Sequence, residues 1–345
     1  MLALTFTLTV CIWDNPVRAQ EATSRTIPSR VIPVPGSVSP QLQATLSQPE
    51  NPGLPTPKTP EDWKALTKQS PASEEASAQQ LATLRRRYGV TVTSEMMGGV
   101  RCYILTPGNL KPRNRNRLIL NLHHGGFIWG AGESGTSWGI TLAGLTGYKV
   151  VVVDYRLLPE HPFPAAIDDA TAVWKHLVKS DKPADIAIVG GSAGGGLALS
   201  LVQRAKLEAL PLPGALVVLS PAAADLSKTG DSFYTNAGVD GSWVYDGFVE
   251  ALFRSYANGR DLKDPAVSPL YGDFKGFPPT YLVTGTRDIF LSDTVRVQRK
   301  LLQAGVPTQL VVVEGAPHTV GDGDIPEYAE VYRNVGEFLD AHLGP

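Results

Sequence analysis

From about Thr91 onward the chain alternates short apolar runs with longer helical stretches, and few architectures accommodate that rhythm. Leu118 to Leu122, Val150 to Val153 and Ile186 to Val189 have the look of buried parallel strands. Helical stretches follow the last two, roughly Ala165 to Lys179 and Ala193 to Leu207. Further on come Tyr281 to Thr284, a helix near Ser292 to Gln303, the run Gln309 to Val313 and a closing helix near Glu327 to His342. The alternation predicts an α/β fold, a mostly parallel central sheet flanked by helices on both faces. Residues from about Asp225 to Gly259 break the rhythm with Gly, Asn and scattered aromatics, and are expected to form part of a lid.

What precedes Thr91 reads differently. Leu2 to Trp13 is mostly apolar, and Val17-Arg18-Ala19 offers small residues where a signal peptidase reads. Residues 1–19 therefore have the pattern of a secretory signal, and the protein is expected to be exported, periplasmic or secreted. The leader lacks Lys or Arg before its apolar run, and without a working leader the protein would be cytoplasmic. Nine prolines fall from Pro28 to Pro60, mixed with Ser, Gln and Thr, so 20–58 is expected to be a disordered tether. Order is expected near Thr59, an N-cap candidate with Pro60 at the first helical position, followed by a helix from about Ser73 to Tyr88 stopped by Gly89. Residues 59–90 would form helices of their own, and 91–345 the α/β domain with the insertion near 225–259.

The formal net charge of −2 gives no electrostatic reason to expect nucleic acid or an anionic membrane as partner. No stretch of the mature chain is apolar enough to span a bilayer. Cys11 would leave with the leader, so Cys102 would have no disulfide partner.

Gly190-Gly191-Ser192-Ala193-Gly194 follows directly on a strand and opens a helix. A serine at such a turn is lifted above the sheet and sits at a helix N-terminus, where backbone N–H groups favour developing negative charge. Glycine-rich turns also serve nucleotide-binding folds, but the Gly-x-Gly-x-x-Gly order and a Lys-Ser/Thr pair are both lacking. A serine nucleophile needs a base, and the base an orienting acid. His318, in the turn Glu314-Gly315-Ala316-Pro317-His318 after an apolar run, suits the base better than His342 on the closing helix. Asp288, beyond Gly285-Thr286-Arg287, is the preferred acid. Asp293 and Glu314 compete, Asp293 being expected to face solvent or cap the following helix. His123-His124-Gly125-Gly126-Phe127 follows the first core strand, so the N–H groups of Gly125, Gly126 and Ala193 are assigned as oxyanion donors. A metal is not expected at His123 and His124, because adjacent residues rarely reach one ion and no third ligand is evident.

With these residues placed, the chain resembles the hormone-sensitive-lipase-like esterases, the bacterial family IV group of α/β-hydrolases. The resemblance rests on His123 to Phe127, Asp154-Tyr155-Arg156-Leu157-Leu158-Pro159-Glu160, Phe163-Pro164-Ala165-Ala166 and Gly190 to Gly195, followed by Asp264-Pro265, Val267-Ser268-Pro269-Leu270, Gly285 to Asp288 and Glu314 to His318. It implies a Ser192–Asp288–His318 triad, a mostly helical cap whose first part is N-terminal, and hydrolysis of short- to medium-chain carboxylic esters without a cofactor. Two positions depart from the family pattern: His124 stands where the first of three glycines is usual, and Gly191 where Asp is common. Asp154, Arg156 and Glu160 read as a structural ion-pair network. An amidase or a deacetylase would use the same triad on another leaving group. A non-catalytic small-ligand receptor on this scaffold would be expected to have lost its base. The expected partner is a small-molecule ester, and oligomeric state is open, a homodimer included.

Overall fold

The apolar runs are strands of one eight-stranded sheet among the described residues. The computed structural model describes residues 29, 31–48, 53–68, 74–241, 243–318, 321 and 323–344, so the expected leader lies outside the described residues. The strands are β1 (Val90–Met97), β2 (Val100–Pro107), β3 (Leu118–Leu122), β4 (Lys149–Val153), β5 (Ile186–Gly191), β6 (Ala215–Leu219), β7 (Thr280–Gly285) and β8 (Thr308–Val313). Their order across the sheet is β1-β2-β4-β3-β5-β6-β7-β8. β2 runs antiparallel to both β1 and β4, and every other pairing is parallel.

Because side chains alternate along a strand, each buried strand feeds two cores. Leu118, Leu120, Leu122, Ile186 and Ile188 pack with helices α5 (Ala165–Leu177), α6 (Ala193–Leu207) and α9 (Leu291–Gln303) on one face. Ile119, Val150, Val152, Ala187 and Val189 pack on the other with α3 (Glu74–Tyr88), α4 (Ser137–Thr146) and α10 (Pro326–His342). Helix α2 (Pro60–Lys68) begins where capping chemistry places it: Thr59 Oγ1 accepts the Asp62 N–H at 3.1 Å, and Asp62 Oδ2 accepts the Thr59 N–H at 2.9 Å.

Two differences from the sequence reading have physical reasons. The 20–58 stretch is not tether throughout, because Pro40–Leu46 forms helix α1. Ser39 caps it by accepting the Leu42 N–H at 3.2 Å, while its own N–H and hydroxyl donate to Glu327 of α10 at 2.6 and 2.7 Å. Leu42 is fully buried on that face, so a few apolar residues dock a segment whose composition alone argues for disorder. Helix α4 was unmarked because its sequence, SWGITLAGLT, is apolar on every side and carries two glycines, which erases helical periodicity. The 225–259 region contains the short helix α7 (Ser232–Thr235), a turn at Tyr245–Val249 kinked at Gly247, and helix α8 (Glu250–Ala257).

Candidate active site

The turn from β5 into α6 holds Ser192 at φ +53°, ψ −124°, a left-handed conformation that a side-chain-bearing residue adopts only when its surroundings impose it. They do so here from two strands. Ser192 N–H donates to Leu219 O at the end of β6 at 2.9 Å, and Ser192 O accepts the Ala222 N–H at 3.1 Å. At Gly194 a Cβ would lie 2.0 Å from Leu122 O of β3, so only glycine lets the helix start this close to the sheet.

The topology brings the distant partners to this turn. Ser192 Oγ is 2.9 Å from His318 Nε2, and His318 Nδ1 is 3.1 Å from Asp288 Oδ1. His318 is 3% exposed and Asp288 is fully buried. The imidazole is held edge-on between Phe290 and Trp243, with ring centroids 4.5 and 5.9 Å away. Asp288 also accepts the Phe290 N–H at 2.8 Å and the Thr284 hydroxyl at 2.7 Å. Burial works to raise its carboxyl, but the charge and hydrogen bonds of His318, Phe290 and Thr284 outweigh it and hold Asp288 below the ordinary value. The structure thus brings Ser192, His318 and Asp288, the three residues singled out in the sequence, into one hydrogen-bonded line.

The competing acids lie elsewhere. Glu314 is exposed. Asp293 does not face solvent or cap a helix as expected: it is fully buried in the first turn of α9, where desolvation and the neighbouring Asp225 push its carboxyl well above the usual range. Arg156 pairs with Asp169 at 2.8 Å, not with Asp154 or Glu160, and Asp154 instead accepts the Gly132 N–H at 2.8 Å.

Gly125, Gly126 and Ala193 border a cavity of about 460 Å³ that opens over Ser192. Gly125 has φ +118°, and a Cβ there would lie 2.4 Å from Trp129 O, so the loop geometry excludes any other residue. His123 supports the loop from beneath: it is 2% exposed, stacks on Tyr155 at 4.1 Å and lies 2.7 Å from His124 O through Nδ1. Burial holds its pKa down to about 4, so it stays neutral at ordinary pH. Among the described residues no three His, Cys, Asp or Glu side chains are grouped to hold a metal ion.

Asp240 and Asn236, from the insertion, escaped the sequence reading. Asp240 is 1% exposed; its carboxylate accepts the His318 N–H at 2.5 Å and the Ile289 N–H at 2.9 Å. Asn236 donates to Thr286 O at 3.2 Å and Asp288 O at 2.9 Å. The insertion therefore clamps together the two turns that carry His318 and Asp288. Burial and the nearby Asp288 charge push the Asp240 carboxyl well above its usual value, so the two carboxylates flanking His318 are driven apart. Asp240→Asn turns an amino group toward one of the two N–H donors, and kcat is expected to fall about tenfold with little change in KM. Steady-state kinetics of the folded variant check this, and a lowered melting temperature with unaltered kcat would reduce Asp240 to a stabilising role. The only cue in the sequence was two turn-forming residue types in a glycine-rich stretch, which mark loops generally.

Comparison with known proteins bears on this geometry. The family described as alpha/beta hydrolase fold matches residues 119–321, more than half of the chain. The chain belongs to the α/β-hydrolase fold family. An esterase of Acinetobacter venetianus is 33% identical over 225 residues, covering 64% of this α/β-hydrolase and 74% of that protein. The crystal structure of an esterase superposes with a TM-score of 0.88 at 41% identity, covering 93% of this chain and 99% of that one. An esterase from the bacterial hormone-sensitive lipase family superposes with a TM-score of 0.73 at 28% identity, covering 89% and 99%. Within the α/β-hydrolases the chain is one of the hormone-sensitive-lipase-like esterases, as its motifs implied.

Proposed function

We propose that this α/β-hydrolase is a serine carboxylesterase that works through an acyl-enzyme on Ser192. The observation that carries the reading is the continuous line from Ser192 Oγ through His318 to Asp288, at 2.9 and 3.1 Å. His318 Nε2 takes the hydroxyl proton as Ser192 attacks the ester carbonyl, and Asp288 stabilises the resulting imidazolium. The N–H groups of Gly125, Gly126 and Ala193 receive the oxyanion. His318 then protonates the departing alcohol, and water repeats the sequence to release the acid. The cycle uses no cofactor. A mostly apolar cavity of about 460 Å³ suits a small ester with a short or medium acyl chain.

The test is hydrolysis of p-nitrophenyl acetate, butyrate, octanoate and palmitate, with mass-spectrometric mapping of the residue labelled by a sulfonyl fluoride. Turnover falling with chain length and a label on Ser192 are the expected results. A folded enzyme inactive on every ester would sink the reading. Export through residues 1–19, which lie outside the described residues, belongs to the same proposal, and an N-terminus at Gln20 in the exported protein is its test. Among the described residues no helix is long and apolar enough to cross a membrane. A homodimer is supported by β8 closing one side of the sheet as an edge strand, and sedimentation analysis would decide it.

A further inference from the structure

His124 and Gly191 meet at one side chain. Trp138, at the start of α4, lies against Gly191 so closely that a Cβ on Gly191 would come within 2.3 Å of its Cζ3 and 2.8 Å of its Cε3. With the indole where it stands, a Cβ at position 191 has no room. The His124 ring faces Trp138 at 4.1 Å, and its Nε2 lies 3.5 Å from Ser137 Oγ. Burial brings the His124 pKa down to about 3, so it meets the indole as a neutral ring. The backbone beneath Trp138 is equally constrained, since a Cβ on Gly139 would lie 2.8 Å from Val152 Cγ2 and 3.0 Å from Leu105 Cδ2. Helix α4 is therefore seated on the sheet at closest approach, which fixes the backbone that carries Trp138.

His124, Ser137 and Trp138 line the cavity together with the exposed Ser134. Val249, Leu252 and Phe253 make up a wholly apolar part of the lining. An acyl chain carries no polar group and suits that apolar part. The leaving alcohol must lie within reach of His318 Nε2, and α4 flanks the chain just beyond His318: a Cβ on Gly323 would lie 2.8 Å from Leu145 Cδ1 and 3.7 Å from Thr141 Cγ2.

We propose that Trp138, wedged against Gly191 and backed by His124, is a specificity-determining wall on the leaving-group side, confining the enzyme to esters of small alcohols. The proposal rests on the esterase reading. It predicts that the indole, and not the acyl-side aromatics, sets which alcohols are accepted.

The test compares wild type and Trp138→Ala on two series: acetates of methanol, butanol and benzyl alcohol, and p-nitrophenyl esters of increasing acyl length. Trp138→Ala is expected to raise kcat/KM for benzyl acetate relative to methyl acetate at least tenfold while the order of acyl lengths stays as in wild type. His124→Gly, which removes only the backing ring, should move the alcohol ratio in the same direction by a smaller factor and guards against misfolding of the first variant. Gly191→Ala should lose activity, and the Gly191→Ala/Trp138→Ala pair should recover it. An alcohol ratio that stays within twofold, a shift in acyl optimum instead, or a fully active Gly191→Ala would each overturn the wall. Wild type inactive on both series would overturn the esterase reading itself, a separate result.

Discussion

Ser192→Ala is expected to lower kcat about a million-fold, leaving only what the oxyanion donors and substrate binding supply over water. The reason lies in the geometry of the turn. Ser192 is the only hydroxyl whose Oγ sits 2.9 Å from His318 Nε2 among the described contacts, so no neighbouring group can take over the attack. The strained backbone at φ +53° is fixed by bonds to Leu219 and Ala222 that involve main-chain atoms alone, and alanine leaves them in place. The variant should therefore fold, keep its cavity and still bind a short-chain ester analogue. Single-turnover release of p-nitrophenol and a titration with a competitive ketone inhibitor read the two halves of that statement. Residual turnover above about a hundredth of wild type would remove Ser192 from the nucleophile's place, because a loss of two decades is far smaller than the covalent route supplies.

Asp288→Asn is expected to cost about ten-thousandfold in kcat at nearly unchanged KM. Asp288 accepts three donors at once, from His318, Phe290 and Thr284, and an amide has only one oxygen to offer. An amino group turned toward His318 would force a proton onto Nε2, the nitrogen that must be free to receive the Ser192 proton. With the amino group turned the other way, the Thr284 hydroxyl loses its acceptor inside a fully buried pocket. Either orientation is poor. The measurement is kcat and KM on p-nitrophenyl butyrate, beside a thermal melt. A loss below tenfold would move the acid's role toward Asp240, the other buried carboxylate bonded to the His318 turn.

The central sheet and the three side chains proposed to react were legible in the sequence for a common reason. Buried parallel strands are continuous apolar runs, and β3, β4, β5 and β7 were found that way, while β8 carries a similar run at the half-buried sheet edge. The residues proposed to react sit just past the carboxyl ends of such strands, where Ser192, Asp288 and His318 could be placed by counting from them. Three strands escaped, β1, β2 and the short β6. β1 and β2 are joined at Gly98-Gly99, a two-residue turn that is itself a hairpin signal and went unread. Asp240 and Trp138 were beyond reach for a different reason. Each acts through contacts 49 or more residues away, with Ile289 and His318 for Asp240 and Gly191 for Trp138, and long-range placement leaves no local periodicity. α1 shows the opposite error, since proline content argued for disorder where Leu42 and the Ser39–Glu327 bonds fix a helix.

The clamp formed by Asn236 and Asp240 bears on how such an enzyme can be re-engineered. The same insertion lines the cavity through Trp243, Val249, Leu252 and Phe253 and hydrogen-bonds the turns of Asp288 and His318. Grafting this insertion from a relative to broaden substrate range would replace the scaffolding of the base together with the pocket wall. A chimera whose crossover falls after Asp240 keeps the recipient's own clamp, while one joined before Ser232 imports a foreign one. The useful unit of exchange is therefore the stretch from Gly241 onward, and recombination upstream of it trades pocket shape against catalytic alignment.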